Sequence, residues 1–371
     1  MKRLLCLILI LLLPACSLAE SIAALESSQP LLLPGTPEGI LDCISLPDGG
    51  ALINASTFAN LEGTGAGGWR LLYLLRIDAA GSPVWETRYH AGPGADIIEL
   101  ALTQDIVNVY MYNDVIGNEN CKQITLVFDL ATGRQVEEPE QLGIPVGEIA
   151  SVTHCGDFRI DEYIHNGGAD TVRTVIHHLP NSRRAEYEFR GLQHCTAFDS
   201  KLICCFVDAQ DMAYYSVYDA DCLPIAESSL IAPGAYVNHS AAGENNLYLF
   251  AWTNRADPDH RSYTVYPVDD TLNTGAPIAS FTLEEGHALG QVALCGDGFL
   301  LTDEFPWEYG QPTRYDLLFF SCEGVLTPIS TFLLQHEDSV ILLPGTDEGH
   351  ARVVCREEKE MEYLQQVYVA Q

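Results

Sequence analysis

The stretch Arg76-Ile-Asp-Ala-Ala-Gly-Ser-Pro-Val-Trp85 decides the fold. Apolar residues run into an Asp, a turn of small residues follows, and apolar residues resume. Asp, Gly and Ser stabilise tight turns through local hydrogen bonds or positive φ, so the segment reads as a β-hairpin. Phe128-Asp-Leu-Ala-Thr-Gly-Arg-Gln-Val136 and Tyr218-Asp-Ala-Asp-Cys-Leu-Pro-Ile225 match it, with weaker copies at 268–278 and 321–329 and a degenerate one at 177–184. Working outward, another hairpin precedes each copy. It is clearest at Ser45-Leu-Pro-Asp-Gly-Gly-Ala-Leu-Ile-Asn54, Val152-Thr-His-Cys-Gly-Asp-Phe-Arg-Ile160 and Val292-Ala-Leu-Cys-Gly-Asp-Gly-Phe-Leu-Leu301. The strand after this turn starts near positions 51, 107, 158, 201, 246, 299 and 350, a period of about 50 residues. Helical periodicity is scarce; 357–366 comes nearest to it.

Two hairpins per period make four antiparallel strands, which is one blade of a β-propeller. The sequence therefore predicts an all-β chain with seven four-stranded blades in a single domain over residues 20–371. The seventh unit runs out after its third strand, at 363–370, and Gln29-Pro-Leu-Leu-Leu33 supplies the missing fourth, so the N-terminal strand closes the last blade. Leu32-Leu-Pro-Gly-Thr-Pro-Glu-Gly39 repeats Leu342-Leu-Pro-Gly-Thr-Asp-Glu-Gly349 outside this register, which keeps six blades as an alternative, with eight as another.

The repeats at 48–57 and 74–85 resemble those of bacterial secreted β-propeller proteins, with a WD40-like architecture. Asp129-Leu-Ala-Thr-Gly-Arg-Gln-Val136 resembles the Asp-x-x-Thr-Gly turn of pyrroloquinoline-quinone-like propellers, without the Trp expected just after it. The resemblance implies the architecture of residues 30–371. It brings no set of cofactor ligands, and no cofactor is expected.

Lys and Arg number 19 against 51 Asp and Glu, for a net charge of −32. A nucleic-acid binder needs a cationic face to displace phosphate counterions, and the largest basic cluster is the pair Arg183-Arg184. Nucleic acid is therefore not an expected partner. The first residues read as an export signal over residues 1–19. Met1-Lys2-Arg3 is cationic, Leu4 to Leu13 is apolar but too short to span a bilayer, Pro14 breaks the helix, and Ser17-Leu18-Ala19 offers a small-residue cleavage site. The exported chain would carry −34. The alternative is lipidation at Cys16, from Leu13-Pro14-Ala15-Cys16, which would anchor the protein to the cell surface. Either way the expectation is an extracytoplasmic monomer without a membrane span.

The ten cysteines from Cys43 onward lack a small-domain disulfide spacing and are expected mostly as buried thiols. Cys155 and Cys295 fall on separate blades, and Cys204 and Cys205 point to opposite faces of one strand. His154-Cys155 and His194-Cys195 have no third ligand at a matching spacing, and the oxygen-rich loop at 113–120 lacks a calcium-loop pattern; no metal is expected. No nucleophile-elbow, phosphate-loop or zinc-protease motif occurs, so no catalytic residue is assigned.

Function on a propeller sits on loops held by a rigid ring. The candidate ligand-binding residues are Trp69, after the Gly-rich loop of blade 1, Asp257, His260 and Arg261 in the loop of blade 5, and Trp307 and Tyr309 in that of blade 6. Aromatic anchors with a polar rim suit a protein or glycan ligand. The leading expectation is a binding module. The alternatives are a polysaccharide hydrolase or lyase using Asp257, Asp259, Glu304 and Glu308, and a structural envelope component.

Overall fold

The computed structural model describes residues 25–27, 31–32, 36–59, 69–79, 82–90, 95–103, 105–113, 122–136, 140–143, 149–163, 171–208, 210–225, 229–243, 245–253, 259–269, 271–306, 312–334, 340–344, 350–356 and 362–369, with side chains within 43–342. Every regular element among them is a β-strand. The anticipated second strands begin at Ala51, Ile106, Phe158, Lys201, Leu247, Gly298 and His350.

Six sheets are four-stranded antiparallel blades of consecutive strands. Blade 1 comprises Thr36–Ser45, Ala51–Ala59, Trp69–Ile77 and Pro83–His90; blade 2, Ala95–Thr103, Ile106–Asn113, Lys122–Asp129 and Glu140–Gly143. Blade 3 comprises Ile149–Cys155, Phe158–Tyr163, Thr171–His178 and Arg183–Arg190; blade 4, Leu192–Phe198, Lys201–Val207, Met212–Tyr218 and Ser229–Pro233. Blade 5 comprises Tyr236–Ala242, Leu247–Trp252, Ser262–Val268 and Ala279–Thr282; blade 6, Ala288–Cys295, Gly298–Glu304, Thr313–Ser321 and Leu326–Leu334. The first strand of each blade meets the first strand of the next, as the innermost strands of a propeller do.

The expectation of seven four-stranded blades is corrected: there are six. The remaining sheet has five strands and closes the ring. Ile341–Pro344, His350–Arg356 and Glu362–Val369 come from the C-terminal part, and the N-terminal part adds two short strands rather than one. Leu25–Ser27 pairs opposite Gln366–Tyr368, and Leu31–Leu32 opposite Glu362–Tyr363. Leu31–Leu32 falls within the strand anticipated at 29–33, and Leu25–Ser27 lies before it. Ile341–Pro344 contacts Thr36–Ser45, so this closing sheet lies between blades 6 and 1.

The deciding stretch forms its hairpin by the mechanism its composition suggests. The Asp78 carboxylate accepts the Ser82 N–H at 2.8 Å, while the Asp78 N–H donates to the Ser82 carbonyl. Asp219 does the same with Leu223, and Asp269 with Asn273. In blade 2 Asp129 instead accepts from the Thr132 N–H and hydroxyl, hydrogen bonds that hold its carboxyl below the usual carboxylate range. Trp85 packs between blades: its indole N–H donates to the Leu130 carbonyl, and its ring lies against Gly133. Gly133 has φ +66°, and a Cβ there would fall 2.5 Å from the Trp85 ring, so both backbone and contact require glycine.

Apolar clusters fill the joints between blades 1 and 2, 3 and 4, 4 and 5, 5 and 6, and between blade 6 and the closing sheet. Cys204 belongs to the cluster facing blade 3 and Cys205 to the one facing blade 5, as neighbours on a strand must. The joint between blades 2 and 3 differs. Its buried apolar cluster among the described residues is Ala101 and Tyr110, with Val152 and Leu179 against them. Tyr110 stacks on His154 at 4.4 Å, and Asp161 on that side of blade 3 takes Arg159 in a two-point ion pair and His177 at 3.0 Å.

Candidate functional site

In each blade the connection entering the first strand and the loop joining the second to the third strand lie at the same end, because the first two strands are antiparallel. Over blades 5 and 6 this loop face is tied together. The Gly286 N–H donates to the Asp259 carbonyl at 2.7 Å and the Leu283 N–H to the Arg261 carbonyl at 3.0 Å, fixing the loop of blade 5 to the crossing between blades. Gly286 has φ +80°, and a Cβ there would stand 3.0 Å from Pro306, at the start of the blade 6 loop.

At this shoulder His287 Nδ1 and Asp303 Oδ2 are 2.9 Å apart, with side chains 7% and 8% exposed. Burial raises the Asp303 pKa above the ordinary carboxylate value; the His287 hydrogen bond opposes this, and the charges of Asp316 and Glu284 add to it. The His287 ring packs on Phe305 at 4.0 Å, and the Arg314 guanidinium covers Phe305 at 4.2 Å while pairing with Asp316. Arg261 lies over the Trp252 ring at 5.2 Å. Three polar atoms here are buried without a hydrogen-bond partner among the described residues: Arg261 Nε, Tyr263 Oη and Asp303 Oδ1.

A polar row continues along the starts of the inner strands. The first strands of blades 4, 5 and 6 are each irregular near this end, where Gln193, Asn238 and Gln291 fall. A β-bulge aims side chains out of the regular alternation. Gln193 Oε1 accepts the Val237 N–H of blade 5 at 2.8 Å, and Gln291 Oε1 accepts the Leu342 N–H of the closing sheet at 2.9 Å. Asn238 is one methylene shorter, and its Oδ1 is buried without a partner among the described residues. There His239 is hydrogen-bonded to the Leu289 backbone instead.

His194 Nε2 lies 2.9 Å from Ser240 Oγ. Burial, reinforced by the proximity of His239, lowers the His194 pKa from 6.5 to about 4; burial does the same to His239, against its bond to Leu289. Both imidazoles are therefore neutral at pH 7. A histidine that resists protonation when folded stabilises the fold fully above its unfolded pKa and loses that contribution as pH falls toward the folded value. Stability should drop between pH 6.5 and pH 4, by up to about 3 kcal/mol for each histidine. Denaturant titrations across this range check it: a His194→Gln/His239→Gln variant should show a flatter profile than the parent.

The structure brings His260 and Arg261 to the shoulder and leaves Trp69 on another part of the ring, at the start of the third strand of blade 1 opposite Ala59. Asp257, Trp307, Tyr309, Glu308 and Cys16 lie outside the described residues. Asp259 is exposed, and Glu304 Oε1 is 3.4 Å from the Tyr315 hydroxyl. The sequence reading missed His287, Asp303 and the bulge amides. An Asp one residue before the end of a strand, ahead of an aromatic loop, was the available signal for Asp303. His287, sixteen positions earlier and in no motif, gave none. Among the described residues no three His, Cys, Asp or Glu side chains group so as to hold a metal ion. Among the described residues no helix is long and apolar enough to cross a membrane.

No family model matches the chain, and no curated protein matches it. Solved structures do. The β-propeller domain of the Trilobed protease from Pyrococcus furiosus, described as having an open velcro topology, is 9% identical over 94% of each chain, with a TM-score of 0.50. An acylaminoacyl peptidase is 7% identical over 93% of this chain and 51% of its own, also with a TM-score of 0.50. One of two prolyl endopeptidases is 12% identical over 94% of this chain and 50% of its own, with a TM-score of 0.49. The fold is a β-propeller. This chain spans about half the length of those two larger peptidases. At these identities the likeness shows the fold alone.

Proposed function

We propose that this propeller is a binding module, exported from a bacterial cell, whose loop face over blades 5 and 6 receives a protein or glycan ligand. One observation carries the reading: Arg261 Nε, Tyr263 Oη and Asp303 Oδ1 are buried at that shoulder without partners among the described residues. Buried polar groups are nearly always hydrogen-bonded, so each of these atoms is open to a further partner, and a ligand on the loop face is the one we propose. A guanidinium nitrogen, a phenol and a carboxylate offer mixed donors and acceptors without an excess of one charge. That favours a neutral, hydroxyl-rich chain, and a glycan is the first ligand to try. Trp307 and Tyr309, four and six positions after Asp303 in sequence, are of the residue types that suit a sugar ring.

A glycan array probed with the exported chain is the direct test. Arg261→Ala and Trp307→Ala/Tyr309→Ala should each weaken binding at least tenfold at unchanged thermal stability. Unaltered binding by both would remove the shoulder from the reading. The alternative, a polysaccharide hydrolase or lyase, draws on the raised pKa of Asp303 beside His287. Release of reducing or unsaturated ends from a bound polysaccharide would favour it.

A further inference from the structure

Cys195 and Cys204 stand directly opposite each other on the first two strands of blade 4, with their sulfur atoms 3.6 Å apart. Residues opposed in an antiparallel pair have Cα atoms about 4.5 or 5.5 Å apart, and both spacings fall within the roughly 4.4–6.8 Å that a disulfide spans. Side-chain rotation can thus bring the sulfurs together with the strands in place. The other nearby thiols are aimed elsewhere: Cys155 Sγ donates to the Cys195 carbonyl at 3.3 Å, and Cys205 faces blade 5.

Access is asymmetric. Cys204 is fully buried, and burial together with the Cys195 thiol holds its pKa well above the ordinary value. Cys195 is half-buried and lines a cavity of about 220 Å³ between blades 3 and 4, with Thr153, Ile160, Glu162 and Leu192 in its walls. An oxidant entering there reaches Cys195 first.

We propose that Cys195 and Cys204 form a redox-active dithiol, which a small-molecule disulfide oxidises to a cross-strand disulfide within blade 4. The Cys195 thiolate, having given its proton to solvent, attacks one sulfur of the incoming disulfide. A mixed disulfide forms, and one thiolate leaves and takes up a proton. The Cys204 thiol then loses its proton and attacks the Cys195 sulfur, expelling the second small thiol. Two protein thiols and one disulfide become one protein disulfide and two small thiols, so electrons and protons balance. The proposal does not depend on the loop-face ligand, although Gln193 and His194 of the polar row also line this cavity.

The test uses the reduced full chain in oxidised glutathione, quenched in acid denaturant, alkylated and digested with trypsin. Lys201 lies between the two cysteines, so the digest separates them unless they are bonded. The expected result is joint loss of both thiols and a linked Cys195–Cys204 peptide. Cys204→Ser should accumulate a glutathione adduct on Cys195, and Cys195→Ser should leave Cys204 fully alkylatable. Retention of both thiols in the wild type, or a Cys155–Cys195 linkage in place of the expected one, overturns the proposal without recourse to either variant.

Discussion

Asp161→Ala should destabilise the protein by about 3–5 kcal/mol at pH 7, the cost of leaving one partner of a buried ion pair behind. The Asp161 and Arg159 side chains are 4% and 12% exposed and meet at 2.6 Å, with His177 adding a hydrogen bond. Removing the carboxylate takes the two-point ion pair from the Arg159 guanidinium in the joint between blades 2 and 3, where apolar contact is sparse among the described residues. Burial by itself would raise the Asp161 pKa. The His177 hydrogen bond and the Arg159 charge outweigh it and hold the carboxyl below the ordinary value. A carboxyl held low when folded contributes stability above its unfolded pKa, about 3.9, and loses it as pH falls through the lower folded value. The difference between wild type and variant should thus be full at pH 7 and shrink below about pH 4. Urea denaturation at the two pH values measures it; equal midpoints at pH 7 would refute the account. An Arg159→Met/Asp161→Leu pair should recover most of the loss, because an apolar replacement leaves no charge unpaired.

Phe299→Ala should cost a similar amount, about 3–5 kcal/mol, by another route. Phe299 is fully buried where blades 5 and 6 meet. Its ring sets edge-on to Tyr248 at 5.0 Å and to Phe250 at 5.1 Å, and Phe320 lies 6.4 Å away. Truncation removes the transfer energy of the ring and leaves a cavity that three fixed aromatic neighbours cannot fill. Leu333→Ala, at a side chain 60% exposed, is the control and should shift stability by no more than about 0.5 kcal/mol. Denaturant midpoints of both variants beside the wild type decide the matter, and a Phe299 effect no larger than the control would contradict it.

The blades were legible because their turns are local. Asp78, Asp219 and Asp269 each bond a backbone N–H four residues on, so the chemistry that shapes the hairpin is written within five consecutive residues. The blade count was less legible. Strands of three and two residues, Leu25–Ser27 and Leu31–Leu32, are too short to show an alternation and gain their partner from the far end of the chain. The site was partly legible. His260 and Arg261 declared themselves as polar residues in a long loop, and the structure fastens that loop to the shoulder. His287 and Asp303 did not, because their pairing arises only when a blade crossing meets the end of a neighbouring strand. The bulge amides were hidden for a related reason: a bulge inserts a residue that the two-residue period has no place for.

The closing sheet has a kinetic consequence. Leu25 pairs with Tyr368, so every blade between them must be made before the ring can shut. Bringing such distant segments together costs loop-closure entropy that each blade's own hairpins avoid. The blades can therefore gather in order during synthesis, whereas closure waits for Glu362–Val369. Until then, blade 1 on one side and the last complete blade on the other keep open faces that a neighbouring chain could occupy.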